Sequence, residues 1–236
     1  MLTHTQLVDN FRALGVDAGD TLLVHASYKS FGGVDGGPQI VIDALLEVLG
    51  KEGTLLMPTF NFDFCKGADW DVRETPSQMG FMTNLVRTDP RAKRVFHPIY
   101  SFAVIGKYAD YFGDLRYKSS YAKNSAFSKL RELGGKIMVV GLSYNDSMTF
   151  FHHVEEMEGV DYRYLKNFTG NITDWDGKTS VDTYQMLVRD LDMGVHTMVD
   201  PMGALMEEAG VIQSRTIGEA DVRLMKANEV YEFTAR

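Results

Sequence analysis

The densest run of reactive side chains in the sequence is Thr149-Phe-Phe-His152-His153-Val-Glu155-Glu156-Met-Glu158. If this run is helical, His152 and Glu155 stand three residues apart and share a face, as do His153 and Glu156. A carboxylate beside an imidazole favours the imidazolium and can fix the tautomer, both useful to a general base. The same pattern also fits a surface helix with paired charges. His and Glu are metal ligands too, but no His-Glu-x-x-His or other recognised spacing is present, and no metal is expected.

Three further segments carry chemistry of other kinds. The turn Gly32-Gly-Val-Asp-Gly-Gly37-Pro38 falls between an expected strand and an expected helix, where backbone N–H groups and a helix N-terminus can meet a phosphate. It has no Walker lysine and no Gly-x-Gly-x-x-Gly, so a structural tight turn explains it equally well. Gly141-Leu-Ser143-Tyr-Asn145 approaches the nucleophile elbow of serine hydrolases, and Asp190 or Asp192 followed by His196 supplies the right chain order. Asn145 stands where that elbow asks for a small residue. Half of the eight residues from Arg87 to Arg94 are basic, which reads either as a solvated loop or as a patch for a phosphorylated cofactor. Cys65, the one cysteine, has nothing activating near it in sequence.

The elements that must position these groups follow from pattern and punctuation. Thr3 with Gln6 is a candidate capping box for a first helix ending at Gly15. Thr21–Ala26 reads as a buried strand, Pro38 opens a helix with Val41, Ala44, Leu45 and Val48 on its apolar face, and Gly53–Pro58 reads as the next strand. That βαβ unit implies parallel pairing. A helix from Ser125 to about Leu133 and a strand over Lys136–Gly141 repeat the theme. Asp200 is expected to cap a helix that begins with Pro201 and ends at Gly210, and 219–227 reads as a further helix. The fold class is α/β.

The 236 residues contain no Pro/Ser/Gly-rich linker, so residues 1–236 read as a single domain, and 44% apolar with 24% charged residues is the composition of a soluble globular protein. A first segment without a basic and then apolar run, and no apolar stretch of spanning length, point to a cytoplasmic protein without membrane association. The single cysteine excludes an internal disulfide and a thiolate metal cluster. A net charge of −8 argues against nucleic acid as a partner.

Taken together, five segments in order resemble the aminoglycoside 3-N-acetyltransferase family across most of the chain. They are Val24-His-Ala-Ser-Tyr-Lys-Ser-Phe-Gly-Gly-Val-Asp-Gly-Gly37, Gly53-Thr-Leu-Leu-Met-Pro-Thr-Phe60, Trp70-Asp-Val-Arg-Glu-Thr-Pro-Ser-Gln-Met-Gly80, His97-Pro-Ile-Tyr-Ser-Phe-Ala103 and Thr149-Phe-Phe-His-His-Val-Glu155. The resemblance implies a single-domain, α/β/α sandwich-like fold distinct from the GNAT acetyltransferases, and an N-acetyltransferase that uses acetyl-coenzyme A as acyl donor. It puts His152 and Glu155 at the catalytic positions, with Asp190 or Asp192 as a third, acidic residue. Donor contacts are expected from His25, Ser27, Ser30, Gly33 and Val34, and from His97, Ser101 and Phe102. The basic run Arg87–Arg94 is a candidate for the nucleotide phosphates, and backbone N–H groups near the glycine loop for the thioester oxyanion. The partner expected is a small-molecule amine acceptor, an aminoglycoside or another amino sugar, and a homo-oligomer is compatible with the sequence.

The chain is shorter than typical antibiotic-modifying members, and its central portion looks closer to relatives associated with surface-glycan synthesis. A nucleotide-linked amino sugar is therefore an alternative acceptor, one that asks for basic groups such as Arg163 or Lys166, whereas Glu155, Glu156, Glu158 and Asp161 suit a cationic aminoglycoside. A serine hydrolase built on Ser143 and a non-catalytic sugar-binding module are the competing readings.

Overall fold

The computed structural model describes residues 1–235. The chain opens with α1 (His4–Leu14), β1 (Thr21–Ala26), α2 (Pro38–Leu49) and β2 (Thr54–Pro58). Then come β3 (Trp70–Asp71), α3 (Phe81–Thr88), β4 (Lys93–Arg94), β5 (Phe102–Gly106) and α4 (Ala109–Gly113). These are followed by α5 (Ala126–Glu132), β6 (Lys136–Val140), α6 (Tyr144–Ser147) and α7 (Phe150–Glu158). A hairpin of β7 (Arg163–Thr173) and β8 (Thr179–Arg189) leads to α8 (Asp200–Glu208), β9 (Ile212–Ile217), β10 (Ala220–Lys226) and α9 (Ala227–Thr234).

Local signals set many of these boundaries. Thr3 Oγ1 accepts from the Gln6 N–H at 3.3 Å while the Gln6 side chain accepts from the Thr3 N–H at 2.9 Å, the capping box that starts α1. Pro38 is the first residue of α2, where its missing N–H costs nothing. The crossover through α2 delivers β2 parallel to β1, and β6 pairs parallel to β1 on its other side. The remaining pairings of the seven-stranded sheet, ordered β4-β5-β2-β1-β6-β10-β9, are antiparallel. A second sheet, β3-β7-β8, stands apart from it.

Each face of the large sheet carries its own core. On one side, Leu7, Phe11, Val41, Leu45, Met82 and Val86 of α1 to α3 cover Leu22, Val24, Leu55 and Met57. On the other, α5, α7, α9 and the second sheet enclose Phe60, Phe102, Phe127, Phe150 and Tyr184. This is an α/β/α sandwich. Phe127 lies 5.1 Å from Phe102, 5.7 Å from Tyr121 and 6.3 Å from Phe150 between ring centroids, so one aromatic cluster welds α7 to the sheet. Truncating such a side chain to Ala typically costs about 3–5 kcal/mol.

Two expectations change. Residues 220–226 form a strand rather than a helix: Gly218, at φ +62°, turns the chain back, and Ala220, Val222 and Leu224 alternate inward in pairing with β6 and β9. Period-two burial and two strand partners override helix-forming residues here. Asp200 is the first residue of α8 rather than its cap, and its Oδ1 instead accepts the N–H groups of Tyr144 at 2.8 Å and Asn145 at 3.2 Å. No helix among the described residues is long and apolar enough to cross a membrane.

Candidate active site

Helix α7 is held from both sides, and that fixes which way its reactive residues face. Phe150, Phe151, His153 and Val154 are buried, and Gly159 ends the helix at φ +66° with its N–H on the Glu155 carbonyl. His153, 0% exposed, has its Nδ1 2.6 Å from the Tyr121 carbonyl. A carbonyl can only accept, so Nδ1 carries the proton, and burial lowers the pKa of this ring, which keeps it neutral. His153 is an anchor, and it makes no pair with Glu156, whose carboxylate accepts from Ser119 Oγ at 2.7 Å.

With His153 turned inward, His152 and Glu155 face outward together. His152 Nδ1 lies 2.6 Å from Glu155 Oε2, so Nδ1 donates to the carboxylate and Nε2 is left as the basic nitrogen. Arg163 Nε sits 2.8 Å from the same oxygen, and the Tyr162 hydroxyl donates to Glu155 Oε1 at 3.2 Å. Burial alone would raise the Glu155 pKa, but the hydrogen bond and charge of His152 and the Arg163 guanidinium outweigh it and hold the carboxyl below its usual range. The Tyr121 ring meets the His152 ring edge-on at 5.3 Å.

His152 is part of the wall between two cavities. One, of about 680 Å³, lies under the segment 193–199 and is also lined by Glu158, His196 and Met202. The other, of about 340 Å³, is lined by Tyr100, Tyr121, Met186 and Arg189. His152, Arg163 and Thr197 border both.

The other expected site residues fall elsewhere. Ser30 lines a third cavity, of about 560 Å³, with Gly141, Ser143, Asp200 and Arg223, and none of its lining residues borders the two at His152. Within the glycine loop Ser27 accepts Ser30 Oγ–H at 2.6 Å through its carbonyl, and Gly33 accepts the Leu2 N–H at 2.9 Å, with Val34 6% exposed. His25 is 5% exposed, with its pKa lowered to about 4 by burial.

His97, Ser101 and Phe102 have no surface to offer a donor, being 0%, 0% and 1% exposed. His97 Nδ1 accepts the N–H groups of Ile99 and Tyr100, and its ring stacks on Tyr117 at 5.1 Å. Ser101 Oγ donates to the Thr59 carbonyl at 2.8 Å and accepts from Arg94 Nε at 3.1 Å. The motif is a brace inside the fold. Within the basic run, Arg94, 2% exposed, also donates to the Val72, Thr75 and Thr59 carbonyls and Arg87 donates to the Arg73 carbonyl, whereas Arg91, paired with Asp89, and Lys93, 3.5 Å from Asp110, stay exposed. Asp190 Oδ1 accepts from the N–H groups of Asp192 and Met193, shaping the turn after β8, and makes no hydrogen bond to His152.

The rival nucleophiles also resolve. Ser143 caps α6 and donates to Asp146 Oδ2 at 2.7 Å, on a different cavity from His196. Burial pushes the Cys65 thiol up to about 11, away from the thiolate. No cluster of three or more metal-ligating side chains forms among the described residues. Tyr162 and Arg163 are the residues that pattern alone did not bring to the pair; Gly159 turns the chain so that 162 and 163 return alongside the last turn of α7.

The chain is thus a mixed α/β/α sandwich that sets a carboxylate-held imidazole on the border of two cavities. The family model described as aminoglycoside 3-N-acetyltransferase matches residues 23–236, and the chain belongs to that family of acyltransferases. Among its relatives are aminoglycoside N(3)-acetyltransferase VII of Streptomyces paromomycinus, 28% identical over 98% of this chain and 90% of the relative, and the aminoglycoside N(3')-acetyltransferase-like protein YokD of Bacillus subtilis, 27% identical over 99% and 91%. Among solved structures, aminoglycoside acetyltransferase AAC(3)-Xa superposes with a TM-score of 0.89 at 26% identity, over 100% of this chain and 92% of that one. The alignment with the Streptomyces paromomycinus enzyme runs to 268 positions, longer than this chain, so that relative has residues with no counterpart here.

Proposed function

We propose that the chain transfers acetyl from acetyl-coenzyme A to an amine of an amino sugar, with His152 as general base. The observation that carries this reading is the 2.6 Å His152–Glu155 pair at the junction of two cavities. The acceptor amine reaches the pair from one cavity and the thioester from the other. The neutral amine attacks the thioester carbonyl carbon while His152 Nε2 takes its proton. The tetrahedral adduct then collapses, the C–S bond breaks, and the imidazolium returns the proton to the leaving thiolate, giving an amide and free coenzyme A. No acyl-enzyme forms. Glu155 holds the tautomer and stabilises the transient imidazolium, and a base in this position typically contributes ~10²–10⁴ in rate.

The relatives support the acceptor class. They are named as aminoglycoside acetyltransferases, and AAC(3)-IVa, 25% identical with a TM-score of 0.82, has been solved as a histidine-to-alanine variant in complex with a gentamicin. His152→Asn is expected to bind coenzyme A normally, by calorimetry, and to lose about 10²–10⁴ of its turnover, read as thiol release across a panel of aminoglycosides and amino sugars. Full turnover in that variant overturns the assignment of the base.

A further inference from the structure

The geometry points to an anion subsite beside His152, formed by Arg163 and Arg189 and taking a phosphate or carboxylate group of a bound substrate. The two arginines are directly paired across the β7–β8 hairpin, so their side chains leave the same face, and both line the cavity of about 340 Å³. Like charges directly opposite on a sheet destabilise it. A fold that sets two guanidinium groups this way at the wall of a cavity gains when an anion lies between them.

The Arg163 side chain is 6% exposed, and its single ionic contact is Nε to Glu155, an oxygen already engaged by His152. Its buried Nε meets Glu155 as an ion pair without a well-formed hydrogen bond, and its side chain makes no other polar contact among the described residues, although a buried guanidinium ordinarily spends its donors. Arg189 is exposed and also makes no side-chain hydrogen bond among the described residues. No carboxylate lines this cavity, whose other walls are Tyr100, Tyr121, Met186, Leu187 and neighbouring apolar groups. In the larger cavity, the two carboxylates are engaged, Glu155 as described and Glu158 by the Tyr231 hydroxyl at 2.7 Å. The walls around the base thus offer unspent donors for an anion. Planar guanidinium forks suit phosphate and carboxylate oxygens by two-pronged hydrogen bonding.

The anion has two chemical sources, the diphosphate of the donor or an acidic group on the acceptor. The subsite rests on the acetyl-transfer reading for its purpose but is tested without turnover. Inorganic pyrophosphate is titrated calorimetrically into the wild-type chain and into Arg189→Gln, an exposed position whose loss leaves the fold intact. Binding is expected to weaken about tenfold to a hundredfold in the variant, the value of one charge-assisted pair, and to fall with added salt. Equal affinity in the two proteins, or no binding to either, overturns the subsite. Prior saturation with coenzyme A separates the sources: abolished pyrophosphate binding assigns the site to the donor, and retained binding assigns it to the acceptor. In the second case glucosamine 6-phosphate is acetylated in preference to glucosamine, and Arg189→Gln erases the preference. Pyrophosphate binding that depends on Arg189 in a protein inactive toward every amine keeps the subsite and removes the transferase reading.

Discussion

Glu155→Gln removes a charge while keeping shape, which makes it the sharpest probe of how the base is held. Two opposite unit charges about 4 Å apart attract by about 4 kcal/mol at an effective dielectric near 20. Glu155 is 18% exposed, and its Oε2 is shared between His152 at 2.6 Å and Arg163 at 2.8 Å. Both effects reduce the part that stabilises a transient imidazolium to about 1–3 kcal/mol. That loss, felt in the transition state, lowers kcat/KM by about ten- to a hundredfold. Arg163 is left buried without its counter-ion, which costs about 3 kcal/mol and lowers the melting temperature by roughly 6–12 °C. The assay is thiol release together with thermal unfolding of both proteins. An unchanged kcat/KM in the variant would refute the argument that Glu155 acts through the imidazole.

Two further outcomes follow from groups inside the fold. Burial holds His25 near 4 and His97 near 3, both below the roughly 6.5 of an unfolded chain, so the unfolded state binds more protons below that pH. The stability each contributes is complete above about pH 6.5 and declines as pH falls, by up to about 1.4 kcal/mol per unit. Urea titrations should give a gentler decline between about pH 6 and 4.5 for His97→Asn than for the wild type, and an identical slope would remove His97 from the account. Arg94→Lys cannot serve the Val72, Thr75 and Thr59 carbonyls and Ser101 together, and is expected to cost about 3 kcal/mol or more in the same titration; a loss below about 1 kcal/mol would mean that water replaces those bonds.

The parts of the fold that sequence foretold are those with local causes. The Thr3 capping box, Pro38 at a helix start and the apolar run Thr21–Ala26 each state their structure within a few residues. The hairpin β7–β8 was not foreseen, because long stretches of both strands are exposed and no clean alternation marks an inward side; Asp176-Gly177 at its tip was the available signal. The segment 220–226 is rich in helix formers, and only its pairing with β6 and β9 decides against them. At the site, the His152–Glu155 pair was legible from a helical spacing of three. Its third partner, Arg163, depends on the turn at Gly159, which no spacing rule encodes. The motif around His97 and Ser101 drew a ligand role because polar residues in a family pattern look functional, whereas Arg94 consumes them from within.

The partition at His152 also bears on traffic. In the proposed transfer, the two cavities that share His152 would seat donor and acceptor together. Arrival in either sequence would then be productive. Steady-state rate lines drawn at several fixed concentrations of the second reactant would intersect rather than run parallel, the signature of a shared ternary complex.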